Sequence, residues 1–106
     1  RFLIGTEGEK EIANIIKQDY LNKFGEDTII LGTIGRLVKI DSDEYIETIA
    51  EIMKQNPNTI YLACGLGNEG NIREKIRKYS IEDDRFLFLG QVKAHIYGWV
   101  IDVWLD

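Results

Sequence analysis

The chain has 106 residues, 44% of them hydrophobic and 29% charged, with a formal net charge of −5. This suffices for one small domain with a modest core, and the acidic balance argues against a broad nucleic-acid or anionic-membrane surface. The single cysteine, Cys64, has no partner for an intramolecular disulfide, and metal-ligand spacings are absent, which fits a reducing, cytoplasmic setting. No apolar run approaches bilayer length and no signal-peptide pattern is present, so no transmembrane segment is expected. The sequence begins at Arg1 and stops at Asp106 directly after an apolar run, as a piece of a longer protein would.

In chain order, residues 1–27 read as a leading strand and helix, and residues 28–106 as β-α repeats of the same single α/β domain. Thr6 and Glu9 have capping-box spacing, and Ile12, Ile15, Ile16 and Tyr20 supply a helical stripe ending near Gly25. Thr28 to Leu37 is β-branched and apolar, which predicts a buried, central parallel strand. Asp41 and Glu44 form a second cap-like pair. Tyr45, Ile46, Ile49, Ile52 and Met53 then make the apolar face of a helix stopped at Asn56-Pro57. Thr59 to Cys64 is the next strand, followed by a glycine-bearing turn and a helix from the Asn71/Glu74 pair to about Tyr79. Arg85 to Leu89 is a strand, Lys93 to Gly98 a short helix or turn, and Val100 to Leu105 a last strand. Alternation of this kind predicts a parallel, Rossmann-like sheet with helices on both faces and right-handed crossovers.

Ligands of such sheets bind just beyond the carboxyl ends of the strands. Gly35, Arg36 and Lys39 stand at one such end. Glycine thins the backbone, and an arginine fork beside a lysine point charge suits a diphosphate; the helix amino end near Asp41 is expected to add donors. The same cations could also be plain surface charges balanced by Asp41, Asp43 and Glu44. Gly65-Leu66-Gly67-Asn68-Glu69-Gly70 matches the dinucleotide pattern G-x-G-x-x-G in a strand-to-helix context. It follows the second of the predicted repeats rather than the first, and the next strand ends in Gly90-Gln91 without the acid that would hold a ribose. A tight β-α turn and a ligand contact both remain open there. Lys93 and His95 lie past another strand end, where they could present donors to an anion. Trp99 and Trp104 read as packing residues, and Cys64 as a small buried hydrophobe.

An ordered set of motifs carries a resemblance. Gly32-Thr33-Ile34-Gly35-Arg36-Leu37-Val38 is followed by a helix ending before Asn56-Pro57, then Tyr61-Leu62-Ala63-Cys64-Gly65-Leu66-Gly67, then Asp84-Arg85-Phe86-Leu87-Phe88-Leu89-Gly90, then Asp102-Val103-Trp104-Leu105-Asp106. Together they resemble the carboxyl-terminal nucleotide-sugar-binding domain of GT-B glycosyltransferases, which implies an incomplete half of that two-domain fold. Retaining, glycogen-synthase-like members typically carry a lysine five residues after the arginine, and here that position is Asp41. Lys39-Ile40-Asp41 is instead similar to the branch of O-linked N-acetylglucosamine transferases and bacterial cytoplasmic protein glucosyltransferases, or to a related group-one glycosyltransferase.

That resemblance implies a glycosyltransferase whose donor is a nucleoside diphosphate sugar, expected to be a UDP-sugar. It implies that Lys39 contacts the donor diphosphate with Arg36 in support, and that Gly35, Gly65 and Gly67 line the donor site. Lys93 and His95 resemble nucleotide-contacting residues of the branch, with spacing one residue shorter. No cofactor or metal is expected, because cations would stabilise the leaving diphosphate. The acceptor, whether protein, glycan or lipid, and any catalytic base would belong to a cleft with a missing amino-terminal domain, so these residues alone are expected to be inactive. Two other readings stand beside it: an NAD(P)-type dinucleotide-binding domain of an oxidoreductase, resting on Gly65 to Gly70, and a non-enzymatic α/β interaction module presenting Trp99 and Trp104.

Overall fold

The computed structural model describes residues 7–105. Helix α1 spans Glu7–Phe24, and Thr6, expected to cap it, lies outside the described residues, as does any strand before it. Then come β1 (Ile29–Ile34), α2 (Asp43–Gln55), β2 (Thr59–Cys64), α3 (Glu69–Lys78), β3 (Phe86–Gly90), α4 (Ala94–Val100) and β4 (Val103–Trp104). The four strands form one parallel sheet in the order β3-β2-β1-β4. The expected α/β architecture, with a parallel sheet and helices on both faces, is what the chain adopts.

The two faces are covered by different helices because successive strand residues point to opposite sides. Leu31, Tyr61, Ala63 and Phe86 pack with Ile46, Ile49 and Met53 of α2 and Ile72 and Ile76 of α3. Ile30, Ile60, Leu62 and Cys64 pack with Ala13 of α1 and Ile96 and Val100 of α4. Each of the Leu, Ile, Met and Phe side chains among them contributes roughly 1.5–3 kcal/mol of transfer free energy when fully buried. Trp99 and Trp104 pack partly buried against the α1/α4 face.

This layering sets the topology that matters for binding. The chain runs outward from β1 to β2 to β3 through helices on one face. Helix α4, on the other face, then returns it to the far side of β1. Winding direction therefore reverses between β1 and β4, and a crevice opens at the carboxyl ends of strands where it does so.

Several element ends differ from expectation. Strand β1 stops at Ile34 rather than Leu37, because Gly35 leaves the extended region at φ 147° and Leu37 turns inward to become 2% exposed in the α2/α3 core. Residues Leu37–Lys39 form a 3-10 turn. Helix α2 is capped by Ser42, whose Oγ accepts the Tyr45 N–H at 3.1 Å, and not by Asp41, which pairs instead with Lys75. Helix α3 is capped one turn early, by Asn68, whose Oδ1 accepts the Asn71 N–H at 3.1 Å. Strand β3 begins at Phe86 because Asp83–Arg85 makes a 3-10 turn, with Arg85 donating to the Pro57 carbonyl. The last strand is much shorter than predicted: Val100 and Ile101 serve the core as the end of α4, leaving two residues to pair with β1.

What holds β4 in register is Asp102. Its N–H donates to the Ile30 carbonyl at 2.8 Å and its Oδ2 accepts the Ile30 N–H at 2.9 Å, while its other oxygen pairs with Lys17 of α1. No helix among the described residues is long and apolar enough to cross a membrane.

Candidate functional site

Three strand ends are tied together by backbone bonds. The Gly35 N–H donates to the Cys64 carbonyl at 2.9 Å, the Leu37 N–H to Leu66 at 3.1 Å, and the Gly65 N–H to Gly90 at 2.7 Å. Crossing at this distance leaves no room for side chains. A Cβ on Gly65, whose φ is 149°, would stand 1.6 Å from the Gly35 carbonyl oxygen, and one on Gly67 would stand 2.8 Å from the Leu37 Cβ. Both glycines are therefore required by the contact of the β1 and β2 loops. The glycine run needs no ligand to account for it. Gly70, the last of the run, is equally uninformative about a pyrophosphate: a Cβ there would meet only the Asn68 side chain, at 3.3 Å, and not the sheet.

Above these tied ends lies a cleft of about 650 Å³ lined by Ile34, Gly35, Arg36, Cys64, Gly65, Leu66, Gly67, Gln91 and Val92. Its walls are mainly apolar, with Arg36 as the one charged group. Beside it, at the carboxyl end of β1, a depression of about 330 Å³ is lined by Thr33, Ile34, Gly35, Arg36, Lys39 and Ile40. The two share the Ile34-Gly35-Arg36 ridge. Lys39 folds back over that ridge, so that a side chain on Gly35 would meet its Nζ at 3.3 Å.

Five of the seven residues singled out from sequence, Gly35, Arg36, Lys39, Gly65 and Gly67, thus border these adjoining clefts. Lys93 and His95 do not line either one. Lys93 is the residue before α4 and His95 lies within its first turn; the loop after β3 contributes Gln91 and Val92 in their place. Those two carried little sequence signal, Gln91 being notable only as a non-acid at a strand tip. Thr33 was also missed, although a hydroxyl near the end of an otherwise apolar strand was visible as an exception.

The charge arrangement separates the cations into two groups. Asp41 pairs with Lys75 at 2.7 Å and Asp43 with Lys78 at 3.2 Å, joining α2 to α3, and these hydrogen bonds raise both ammonium groups above their ordinary pKa. The α2 amino end carries Asp43 and Glu44 as well as the Ser42 cap, so its dipole is already complemented by acidic side chains. Arg36 and Lys39, by contrast, make no ion pair among the described residues. They are exposed cations at the strand end where the winding reverses.

Two buried groups near the site are held neutral. Cys64, 1% exposed, has its thiol pushed up to about 12 by burial, which keeps it from acting as a nucleophile near neutral pH. Tyr61, 0% exposed, is likewise pushed above the ordinary phenol value by burial. Its hydroxyl sits in a chain of contacts: 2.9 Å to Thr33 Oγ1, 2.9 Å to the Tyr45 hydroxyl, and from Tyr45 2.6 Å to the Leu105 carbonyl. This chain links β1, β2, α2 and the residue after β4, and its first member, Thr33, lines the smaller depression.

No protein-family model matches this chain, and no curated protein matches it in sequence.

Proposed function

We propose that this chain is the donor-binding part of a glycosyltransferase, holding the diphosphate of a nucleoside diphosphate sugar, most simply a UDP-sugar, at the carboxyl end of β1. The observation that carries the reading is the pair Arg36 and Lys39, set at the winding reversal of a parallel sheet without carboxylate partners among the described residues. Lys39 supplies a compact charge over the Gly35 ridge, and Arg36 a planar fork between the two clefts. In this reading the larger, mainly apolar cleft takes the nucleoside and Gln91 supplies its nearest polar side chain. Lys39 and Arg36 then act as leaving-group stabilisers, offsetting the charge that develops on the diphosphate as the glycosidic bond breaks.

The acceptor and the catalytic base belong, on the glycosyltransferase resemblance, to a second domain facing the same end of the sheet. The oxidoreductase alternative draws no added support, since loop packing by itself accounts for Gly65 and Gly67 and β3 is followed by Gln91 rather than an acid. The interaction-module alternative rested on Trp99 and Trp104, which pack against the α1/α4 core.

The test is a titration of the isotope-labelled chain with UDP and, separately, with NAD, following backbone amide shifts. Saturable shifts with UDP confined to Gly35–Lys39, Gly65–Gly67 and Gln91–Val92 are expected. Saturable NAD binding centred on Gly65 to Gly70, or no response to UDP at millimolar concentration, refutes the reading.

A further inference from the structure

We propose that Thr33 serves the smaller depression as an acceptor-only hydroxyl, taking a hydrogen bond from a sugar hydroxyl of the bound ligand next to the phosphate held by Lys39. The assignment deepens the nucleotide-sugar reading and rests on it.

Proton counting on the buried chain leads there. Each hydroxyl carries one proton to donate. The Leu105 carbonyl can only accept, so the 2.6 Å contact takes the proton of Tyr45. The 2.9 Å contact between the two phenols must then use the proton of Tyr61, with Tyr45 accepting. Tyr61 has no proton left for Thr33, so the remaining 2.9 Å contact uses the threonine proton. The direction is single: Thr33 to Tyr61 to Tyr45 to the carbonyl. Burial keeps Tyr61 protonated, so the order does not invert at physiological pH.

Thr33 lines the depression, and with its proton committed to Tyr61 its Oγ1 can meet a ligand there only through a lone pair. A phosphate oxygen, itself an acceptor, gains nothing from it; a hydroxyl does. The depression therefore places a cation, Lys39, beside an acceptor, Thr33, which is complementary to a phosphate attached to a polyhydroxylated ring. Its volume of about 330 Å³ lies at the low end for small-molecule sites. A nucleoside diphosphate sugar offers two such rings, the ribose and the transferred sugar.

Titration calorimetry with UDP and with UDP-glucose separates them. Thr33→Val keeps the shape and removes the acceptor, and Thr33→Ser retains it. Thr33→Val is expected to weaken UDP-glucose about tenfold, the loss of one hydrogen bond, with Thr33→Ser within about twofold of wild type. Loss for UDP-glucose alone assigns the transferred sugar, and equal loss for UDP assigns the ribose. Both support the proposal, provided that amide spectra show Thr33→Val folded as wild type. Affinities of Thr33→Val within about twofold of wild type for both ligands, or equal losses in Thr33→Val and Thr33→Ser, overturn the assignment and leave the nucleotide reading intact. Failure of the wild-type chain to bind either ligand overturns both together.

Discussion

Replacing Gly65 by alanine tests the claim that the binding clefts exist because two loops cross in backbone contact. The added Cβ would lie 1.6 Å from the Gly35 oxygen and 2.7 Å from its carbonyl carbon, on a residue with φ 149°. That backbone region costs a non-glycine residue about 1–3 kcal/mol. To restore an ordinary contact the loops must part by about 2 Å. Such a movement breaks the Gly35-to-Cys64 or the Gly65-to-Gly90 bond, each worth about 1 kcal/mol, and unpacks what lies behind it. The sum is about 3–5 kcal/mol, a large part of the roughly 5–15 kcal/mol that holds a domain of this size together. Gly90→Ala is the matched control: its φ of 71° also disfavours alanine, yet a Cβ there meets nothing within 4 Å. It should cost about 1–2 kcal/mol. Urea unfolding of the three proteins, followed by tryptophan fluorescence, gives the comparison directly. Equal midpoints for Gly65→Ala and Gly90→Ala would show that backbone conformation alone matters and that the loop crossing is not as close as described.

Ser80 occupies the left-handed position after α3, at φ 64°, where the Ile81 N–H closes on the Ile76 carbonyl at 2.8 Å; Ser80→Gly should stabilise by about 0.5–1 kcal/mol, read as a higher thermal midpoint. It lies away from both clefts, so UDP affinity should not change. Lys39→Ala should weaken UDP binding more than Arg36→Ala, since the ammonium stands over the Gly35 ridge; the reverse ranking in calorimetry would shift the diphosphate toward the larger cleft. Cys64 should resist disulfide-exchange reagents at pH 8 in the native state and react on unfolding. Its folded thiol, near 12, lies above the ordinary thiol value of 9.0, so the stability it contributes is present in full below pH 9 and is lost as pH rises from there to about 12. Cys64→Ala should flatten that alkaline decline, and an unchanged slope would remove the thiol from the explanation.

The site was partly legible because its charged residues announce themselves. Gly35, Arg36 and Lys39 follow an apolar strand whose end is marked by glycine, and a strand end is where a parallel sheet binds. Lys93 and His95 also follow a strand end, but the loop after β3 presents Gln91 and Val92 to the cleft, and Lys93 and His95 at the start of α4 do not line it. The cap of α2 is ambiguous in sequence for a related reason: Asp41 and Ser42 both suit an N-cap, and what separates them is Lys75, 34 residues away, which pairs with Asp41.

From local pattern alone the chain determines its alternation of strand and helix, the full extent of β2, and the buried character of β1 and β2, because periodicity and β-branched runs depend on near neighbours. Only the tertiary structure decides that α2 and α3 share one face while α1 and α4 take the other, which puts β4 beside β1 and makes the end of β1 the reversal point. It alone turns a dinucleotide-like glycine run into a loop crossing, and gives Thr33 the direction of its proton through two tyrosines and a carbonyl 72 residues distant in sequence. Those outcomes depend on which backbone atoms meet across the sheet, and no window of sequence contains both partners.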